Sequence, residues 1–307
     1  MSAHAEFLRA ASNDEELATH LKFDFRKARL TQREFRVLEF VEKLSLCPWL
    51  MVRSDFERLQ EEGLSDSEIL HVVLGAAHFN YFNRMADGIG IRLEYRSEIP
   101  EFKVPGEERI SVPAAGPTPA DQPRSVGVAG GTAWIRIPQG DGRSPSGDGP
   151  QNLFHALNDN PPARDLVREW RTYQLKGTPA LDACRRSELA LFVSGLNHCD
   201  YSARWFASRI RSLGASSEAC RLLAAGKRPD GLGLLGALIF AHAERLTREP
   251  WTTREFHIEE LRKAGLDDHG ILQLTMLCSY LSFENRVALG LGVATEEGVR
   301  GADGTRA

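Results

Sequence analysis

The sequence has few cysteines, no long apolar run and no large excess of charge of either sign. Its five cysteines are odd in number, and no CxxC pair occurs in the 307 residues. Such an unpatterned set is not a disulfide framework and suits a reducing compartment, so we expect a cytoplasmic protein. The longest apolar run, Leu232–Ala243, contains glycines and is too short to span a bilayer. The N-terminal residues lack the basic and apolar regions of a signal peptide, and none is predicted.

The overall composition is that of an ordinary globular protein. Hydrophobic residues make up 42% and charged residues 26% of the chain, and the net charge is −4. This length and balance suit a soluble protein of two domains. The mild acidity argues against nucleic acid or an anionic membrane as a partner.

The most informative stretch runs from Glu188 to Gly214. Its apolar residues recur every three to four positions on both sides of Asn197, which is helical spacing. Asn197 is a good N-cap, and Asp200 follows it in a capping-box arrangement. We therefore predict two helices that meet at a sharp corner, with Cys199 in the first turn of the second. The apolar positions are Leu189, Phe192, Val193, Leu196, Ala203, Phe206, Ile210 and Leu213.

This placement has consequences for the cysteine. Unpaired backbone N–H groups in a first helical turn favour an anion, so we expect the pKa of the Cys199 thiol to lie below its ordinary value of about 8.5. The corner is also expected to bring Glu188 back toward the thiol. On one straight helix the eleven intervening steps would hold the two residues about 16 Å apart.

Glu188 followed by Asn197-His198-Cys199-Asp200-Tyr201-Ser202 resembles the active-site segment of the AhpD-like alkylhydroperoxidases. These belong to the carboxymuconolactone decarboxylase superfamily, and the resemblance is to its peroxidase-related branch. It implies an all-α helical bundle with a dithiol fed by a glutamate and histidine proton relay. Glu188 and Cys199 match that pattern, whereas Ser202 stands where the second cysteine belongs and Phe206 where the relay histidine belongs.

His198 is a further candidate because it adjoins Cys199. When protonated it would lower the pKa of the thiol, and when neutral it would act as a base. Neighbouring residues on a helix point about 100° apart, which disfavours that role. The candidate catalytic residues are Cys199, Glu188, His198 and Ser202; the other four cysteines are interpreted as small core residues.

An internal repeat is the second strong signal. Shifted by 202 residues, Leu44–Ile91 aligns with Leu246–Val293 without a gap and with fifteen identities in 48 positions, where chance gives roughly three. Helix signals recur in the first copy. Thr31 with Glu34 and Ser65 with Glu68 are capping boxes, and Gly63 suits a left-handed helix end.

These patterns divide the chain into four parts. Residues 1–96 are a partial AhpD-like helical repeat, 97–150 a linker, 151–295 a complete AhpD-like domain and 296–307 a frayed tail. Nine of the fifteen prolines and nine of the 27 glycines fall in 97–150, which indicates a largely mobile linker without a core. One island in it, Val126–Ile137, is expected to form a short strand or to pack as an extended arm.

Two motifs that imply ligands are rejected. Gly231–Gly236 spells GxGxxG, but no strand precedes it, so it is not a dinucleotide site. His71 and His78 share a helical face, but their counterparts in the second copy are Gln273 and Tyr280, and no third ligand is evident. We therefore expect no cofactor and no metal.

Three functions remain open. The first is thiol-dependent reduction of a small peroxide, with Cys199 as the thiolate and an external thiol as reductant. The second is a non-catalytic helical scaffold that serves oligomerisation. The third is non-redox chemistry of the lactone-decarboxylase type on a lactone-like substrate. In each case we expect a homo-oligomer.

Overall fold

This computed structural model describes residues 2–91, 132–135 and 150–296, and the regular secondary structure in those ranges is helical. No strand occurs within those ranges, and the predicted all-α class is confirmed. None of the helices found there is long and apolar enough to cross a membrane. The helices are α1 (Ser2–Ser12), α2 (Glu15–Phe23), α3 (Gln32–Leu46), α4 (Arg53–Glu61), α5 (Asp66–Ile89), α6 (Gln151–Ala156), α7 (Pro161–Leu175), α8 (Ala183–Leu196), α9 (Asp200–Ser212), α10 (Ser217–Ala224), α11 (Leu234–Arg248), α12 (Glu255–Lys263) and α13 (Asp268–Gly290).

The predicted helix starts in the first copy are present. Thr31 Oγ1 accepts from the Glu34 N–H at 3.3 Å, and the Glu34 carboxylate accepts from the Thr31 N–H at 2.8 Å. Ser65 and Glu68 form the same reciprocal pair at the start of α5. Each box satisfies two backbone donors that a helix start leaves without partners.

The two copies share their secondary structure. A shift of 202 residues converts the boundaries of α3 into those of α11 and the boundaries of α4 into those of α12. It also places α5 on α13, with one residue of difference at the C-terminal end. Between these helices, Pro48–Leu50 and Pro250–Thr252 form corresponding 3₁₀ turns.

The copies pack against each other through reciprocal contacts. Arg84 on α5 donates to the Thr247 carbonyl at 3.3 Å, and Arg286 on α13 donates to the Ser45 carbonyl at 2.7 Å. Thr247 and Ser45 lie in the last turns of α11 and α3, where carbonyls lack helical partners and a cation is favourable. The same 202-residue shift converts one bond into the other, so α5 and α13 pack about a local twofold axis.

Two glycines allow this close approach. A Cβ placed on Gly88 would lie 2.5 Å from the Thr275 methyl group, and one placed on Gly290 would lie 3.0 Å from Val73. These two contacts are again related by the shift of 202. Larger residues at either position would force the long helices apart.

Most of the predicted linker, and the tail beyond Glu296, lie outside the described residues. Within the island, residues 132–135 form a short segment of bends that packs against the end of α13. The Trp134 N–H donates to the Leu291 carbonyl and the Ala294 N–H donates to the Thr132 carbonyl, both at 2.8 Å. Ala133 and Ile135 are buried, so this part of the linker belongs to the core.

Candidate functional site

The corner between α8 and α9 is present, but its cap is not the predicted one. Asn197 ends α8, His198 takes a left-handed conformation with φ of 49°, and Cys199 is the N-cap of α9. No capping box links Asn197 to Asp200. The end of α8 is set instead by tertiary packing, because a Cβ on Gly195 would lie 2.6 Å from the carbonyls of Leu223 and Ala224.

Cys199 lies in the core with Ser202 beside it. The Cys199 side chain has no exposed surface, and its Sγ lies 3.5 Å from Ser202 Oγ and 3.9 Å from the Asn285 carbonyl oxygen. Burial raises the pKa of the Cys199 thiol to about 12, although the backbone N–H and hydroxyl of Ser202 act in the opposite direction. The prediction of a lowered pKa is therefore wrong, because desolvation outweighs the helix start.

Glu188 does not reach this thiol. It lies on α8 eight residues before the end of that helix, about 12 Å along the axis from the corner. Its carboxylate pairs with Arg185 at 2.9 Å on a partly exposed face. Partial burial raises the pKa of Glu188, and the Arg185 charge opposes the shift. The sequence predicted that the corner would bring Glu188 back toward the thiol. In the structure the corner lies eight residues beyond Glu188, so the carboxylate stays away from the thiol.

His198 adjoins Cys199 in the chain but packs toward the first copy. Its ring lies 5.9 Å from the Trp49 ring in an edge-to-face arrangement. Burial, assisted by the charge of Arg248, lowers the pKa of His198, so the ring is neutral at pH 7. A neutral imidazole cannot stabilise a neighbouring thiolate by charge.

The position expected for a relay histidine is part of a buried polar cluster. Phe206 is fully buried, and the guanidinium of Arg171 lies 4.9 Å from its ring and 4.2 Å from the Trp205 ring. Arg171 forms an ion pair with Glu284, and Tyr280 donates to the same Glu284 oxygen at 2.8 Å. Burial opposes the charge on Arg171, but Glu284 and Tyr280 raise the pKa of this guanidinium overall.

Glu284 is a buried acid whose charge acts on the thiol, as does the charge of Asp200. Glu284 precedes Asn285, whose carbonyl faces Cys199 Sγ, and after burial and the Ser202 contacts its charge contributes to the raised pKa of Cys199. Neither Arg171 nor Glu284 was predicted from the sequence as part of the site. The repeat held a signal for Glu284, since it stands at the position of Phe82, directly before the Asn-Arg pair that both copies share.

No second thiol accompanies Cys199. All five cysteines are free; Cys47, Cys220 and Cys278 are buried, and Cys184 is partly exposed on α8. Within residues 2–91, 132–135 and 150–296, no three His, Cys, Asp or Glu side chains are grouped to hold a metal ion. The structure thus brings together Cys199 and Ser202 and leaves Glu188 and His198 apart from them.

Comparison with solved structures finds similar chains, whereas comparison with sequences does not. No family model matches the chain, and no curated protein is similar to it. The solved structure of an uncharacterized peroxidase-related protein from Silicibacter sp. TM1040 covers 48% of this chain and 78% of its own, with 21% sequence identity and a TM-score of 0.46. A likeness of this size carries no conclusion about function.

Proposed function

We propose that this chain is a peroxidase-related protein of the AhpD-like alkylhydroperoxidase class with a one-thiol site. The support is the segment from Glu188 to Phe206, placed on two helices that meet at a corner with Cys199 at the start of the second. We do not propose the two-thiol reaction of that class for this chain. Ser202 cannot form a disulfide, and Phe206 cannot carry a proton.

The proposed reaction is reduction of a small peroxide by Cys199 with an external thiol. The sulfur attacks one peroxide oxygen, the O–O bond breaks, and water or an alcohol leaves while the thiol becomes a sulfenic acid. An external thiol then attacks this sulfur, releasing water and leaving a mixed disulfide. A second external thiol displaces Cys199 and leaves as the oxidised disulfide.

The observation that carries this proposal is the environment of the Cys199 sulfur at the start of α9. The backbone N–H and hydroxyl of Ser202 both act on the sulfur, and both lower the pKa of the thiol. They would stabilise a thiolate at this position. Burial outweighs them and raises the pKa of the thiol to about 12, so we expect slow turnover.

A scaffold without turnover is the second candidate, and the complete burial of Cys199 favours it. A buried thiol with a raised pKa is typically inert. The third function, lactone-type chemistry, would need a polar site around Glu188, and that carboxylate is paired with Arg185 on a partly exposed face.

The test is peroxide consumption with dithiothreitol, combined with dimedone trapping of sulfenic acid. We expect the wild type to consume peroxide slowly and to be labelled at Cys199, and Cys199→Ser to abolish both signals. Cys184→Ser is the matched control and should change neither. Equal consumption by the wild type and Cys199→Ser would refute the peroxidase proposal and leave the scaffold.

We also propose that residues 1–96 and 151–295 derive from one duplicated unit. The matching boundaries of α3 with α11 and α4 with α12 support this proposal. The five free cysteines support a reducing cytoplasmic location.

A further inference from the structure

A continuous row of aromatic rings crosses the outside of α1 and α5. The row starts at Phe7, whose ring lies 6.4 Å from His4, and His4 lies 4.9 Å from Phe79. His78 lies 6.5 Å from the Phe79 ring and 4.6 Å from the Phe82 ring. We call these five residues the ring face. The contacts are edge-to-face, the arrangement that aromatic pairs favour.

The ring face is exposed although it is apolar. Phe7 is 72% exposed, Phe79 48% and Phe82 50%. Together they present roughly 250–400 Å² of aromatic surface, since a whole phenylalanine side chain buries about 150–250 Å². The largest apolar patch on a monomeric protein is often functional, and patches larger than a few hundred Å² mark contact surfaces.

The apolar surface continues onto α7. At the end of the row, Tyr81 lies 5.4 Å from the Phe82 ring and 4.6 Å from Trp170 on α7. Leu166 and Tyr173 lie one turn before and one turn after Trp170 on this helix, and they are 67% and 50% exposed. With them the patch reaches on the order of 500 Å², toward the roughly 800 Å² per partner of a standard protein interface.

The corresponding face of α13 is covered by other parts of the chain. A shift of 202 places His78, Phe79 and Phe82 on Tyr280, Leu281 and Glu284, all of which are buried. Trp170 and Arg171 of α7 cover that face of α13. The corresponding face of α5 meets His4 of α1, and Phe79 and Phe82 remain about half exposed there.

We propose that a second copy of this chain covers the ring face, forming a twofold dimer. The same patch then meets itself, which suits rings that offer both edges and faces. Two of the helices that carry the patch hold charges of both signs, Glu6 and Arg9 on α1 and Asp165 and Arg168 on α7. A twofold axis can therefore bring opposite charges together. The patch size predicts a concentration-dependent dimer of moderate strength.

The first test is sedimentation equilibrium of the full chain over a range of concentrations. We expect the wild type to reach two chain masses and the double variant Phe79→Glu/Phe82→Glu to remain at one. Phe256→Glu is the matched control, because Phe256 is a 58% exposed phenylalanine on α12 and its substitution should leave the dimer intact. A monomeric wild type, or a dimer that persists in the double variant, would overturn the proposal.

The second test identifies the occupant. A photoreactive benzoylphenylalanine at position 82 should give a cross-linked species of two chain masses, and peptide mapping should place the other end on α1, α5 or α7 of the partner. The same probe at position 256 should give no such species. Cross-links confined to one chain would mean that another part of the same chain covers the ring face, and the dimer would be rejected.

Discussion

Helices α5 and α13 occupy corresponding places in the two copies, yet one is a surface helix and the other is buried. They begin with similar caps, share the Asn-Arg pair near their ends and contact each other across the local axis. Burial differs because α7, α8 and α9 pack mainly on the second copy. The comparison teaches that helix position was retained while side chains changed to suit different surroundings.

The changed side chains follow that difference. Phe82 is half exposed on α5, whereas Glu284 at the matching place is buried and paired. Phe40 in α3 lies in the apolar core, whereas His242 in α11 is buried beside Thr275, with Nε2 3.2 Å from its Oγ1. Each difference predicts that a substitution has unequal effects in the two copies.

The largest expected effect comes from breaking the Arg171 and Glu284 pair. Arg171→Met leaves the Glu284 carboxylate buried without its partner, and we expect the free energy of unfolding to fall by about 3–5 kcal/mol. Urea titration measures this loss. The double variant Arg171→Met/Glu284→Met should recover most of it, since no charge remains buried.

The control for this prediction lies in the first copy. Phe82→Met changes a half-exposed side chain and should alter stability by no more than about 0.5 kcal/mol. If Arg171→Met lowered the free energy of unfolding no more than Phe82→Met does, the ion pair between Arg171 and Glu284 would not stabilise the fold.

A smaller effect distinguishes the two helix ends. Gly90 and Gly292 both have positive φ, at 68° and 57°, so an alanine at either place costs about 1–2 kcal/mol. A Cβ on Gly292 would also overlap the Trp134 ring, whereas one on Gly90 meets no atom within 4 Å. We expect Gly292→Ala to cost about 1–3 kcal/mol more than Gly90→Ala in urea titration. Equal losses would show that Trp134 can move aside without cost.

A further difference between the copies is the pH dependence that comes from His242, where the first copy has Phe40. Burial, with help from the charge of Arg245, lowers the pKa of His242 from 6.5 to about 3. The unfolded chain therefore binds the proton more readily, and the stability that neutral His242 provides is full above pH 6.5 and is lost as the pH falls toward 3. At pH 5 the loss is about 2 kcal/mol.

His242→Phe copies the residue found at Phe40 and should remove this part of the acid sensitivity. The measurement is the free energy of unfolding between pH 7 and 4.5. His269→Gln, at an exposed histidine of α13, is the control and should retain the wild-type slope. An unchanged slope in His242→Phe would show that other groups carry the acid sensitivity.

Signals between residues close in the chain predicted the helices well, whereas contacts between residues far apart in the chain were not predicted. The capping boxes at Thr31 and Ser65 depend on residues three positions apart, and the helices begin where those pairs stand. The corner at Cys199 was expected from Asn197, but it depends on the approach of Gly195 to a backbone segment almost thirty residues later. Local sequence does not contain that contact.

The candidate site was predicted only in part for the same reason. Cys199 and Ser202 are neighbours on one helical turn, so their contact follows from spacing. Arg171 and Glu284 are separated by 113 residues, and the burial that raises the pKa of Cys199 arises from several helices together. A motif indicates which residues stand near one another in the chain, but desolvation depends on the whole core.

The reciprocal arginine bonds have a consequence for folding on the ribosome. Arg84 donates to a carbonyl that lies 163 residues later in the chain, and Arg286 donates to one that lies 241 residues earlier. At a synthesis rate of roughly 5–20 residues per second, the face of α5 that packs on α13 stays uncovered for on the order of 10–40 s, until α13 has been synthesised. During that interval the N-terminal helices present a surface that nothing yet covers. A helical protein with such distant pairings is expected to fold slowly for its class and to depend on chaperones until its last long helix is made.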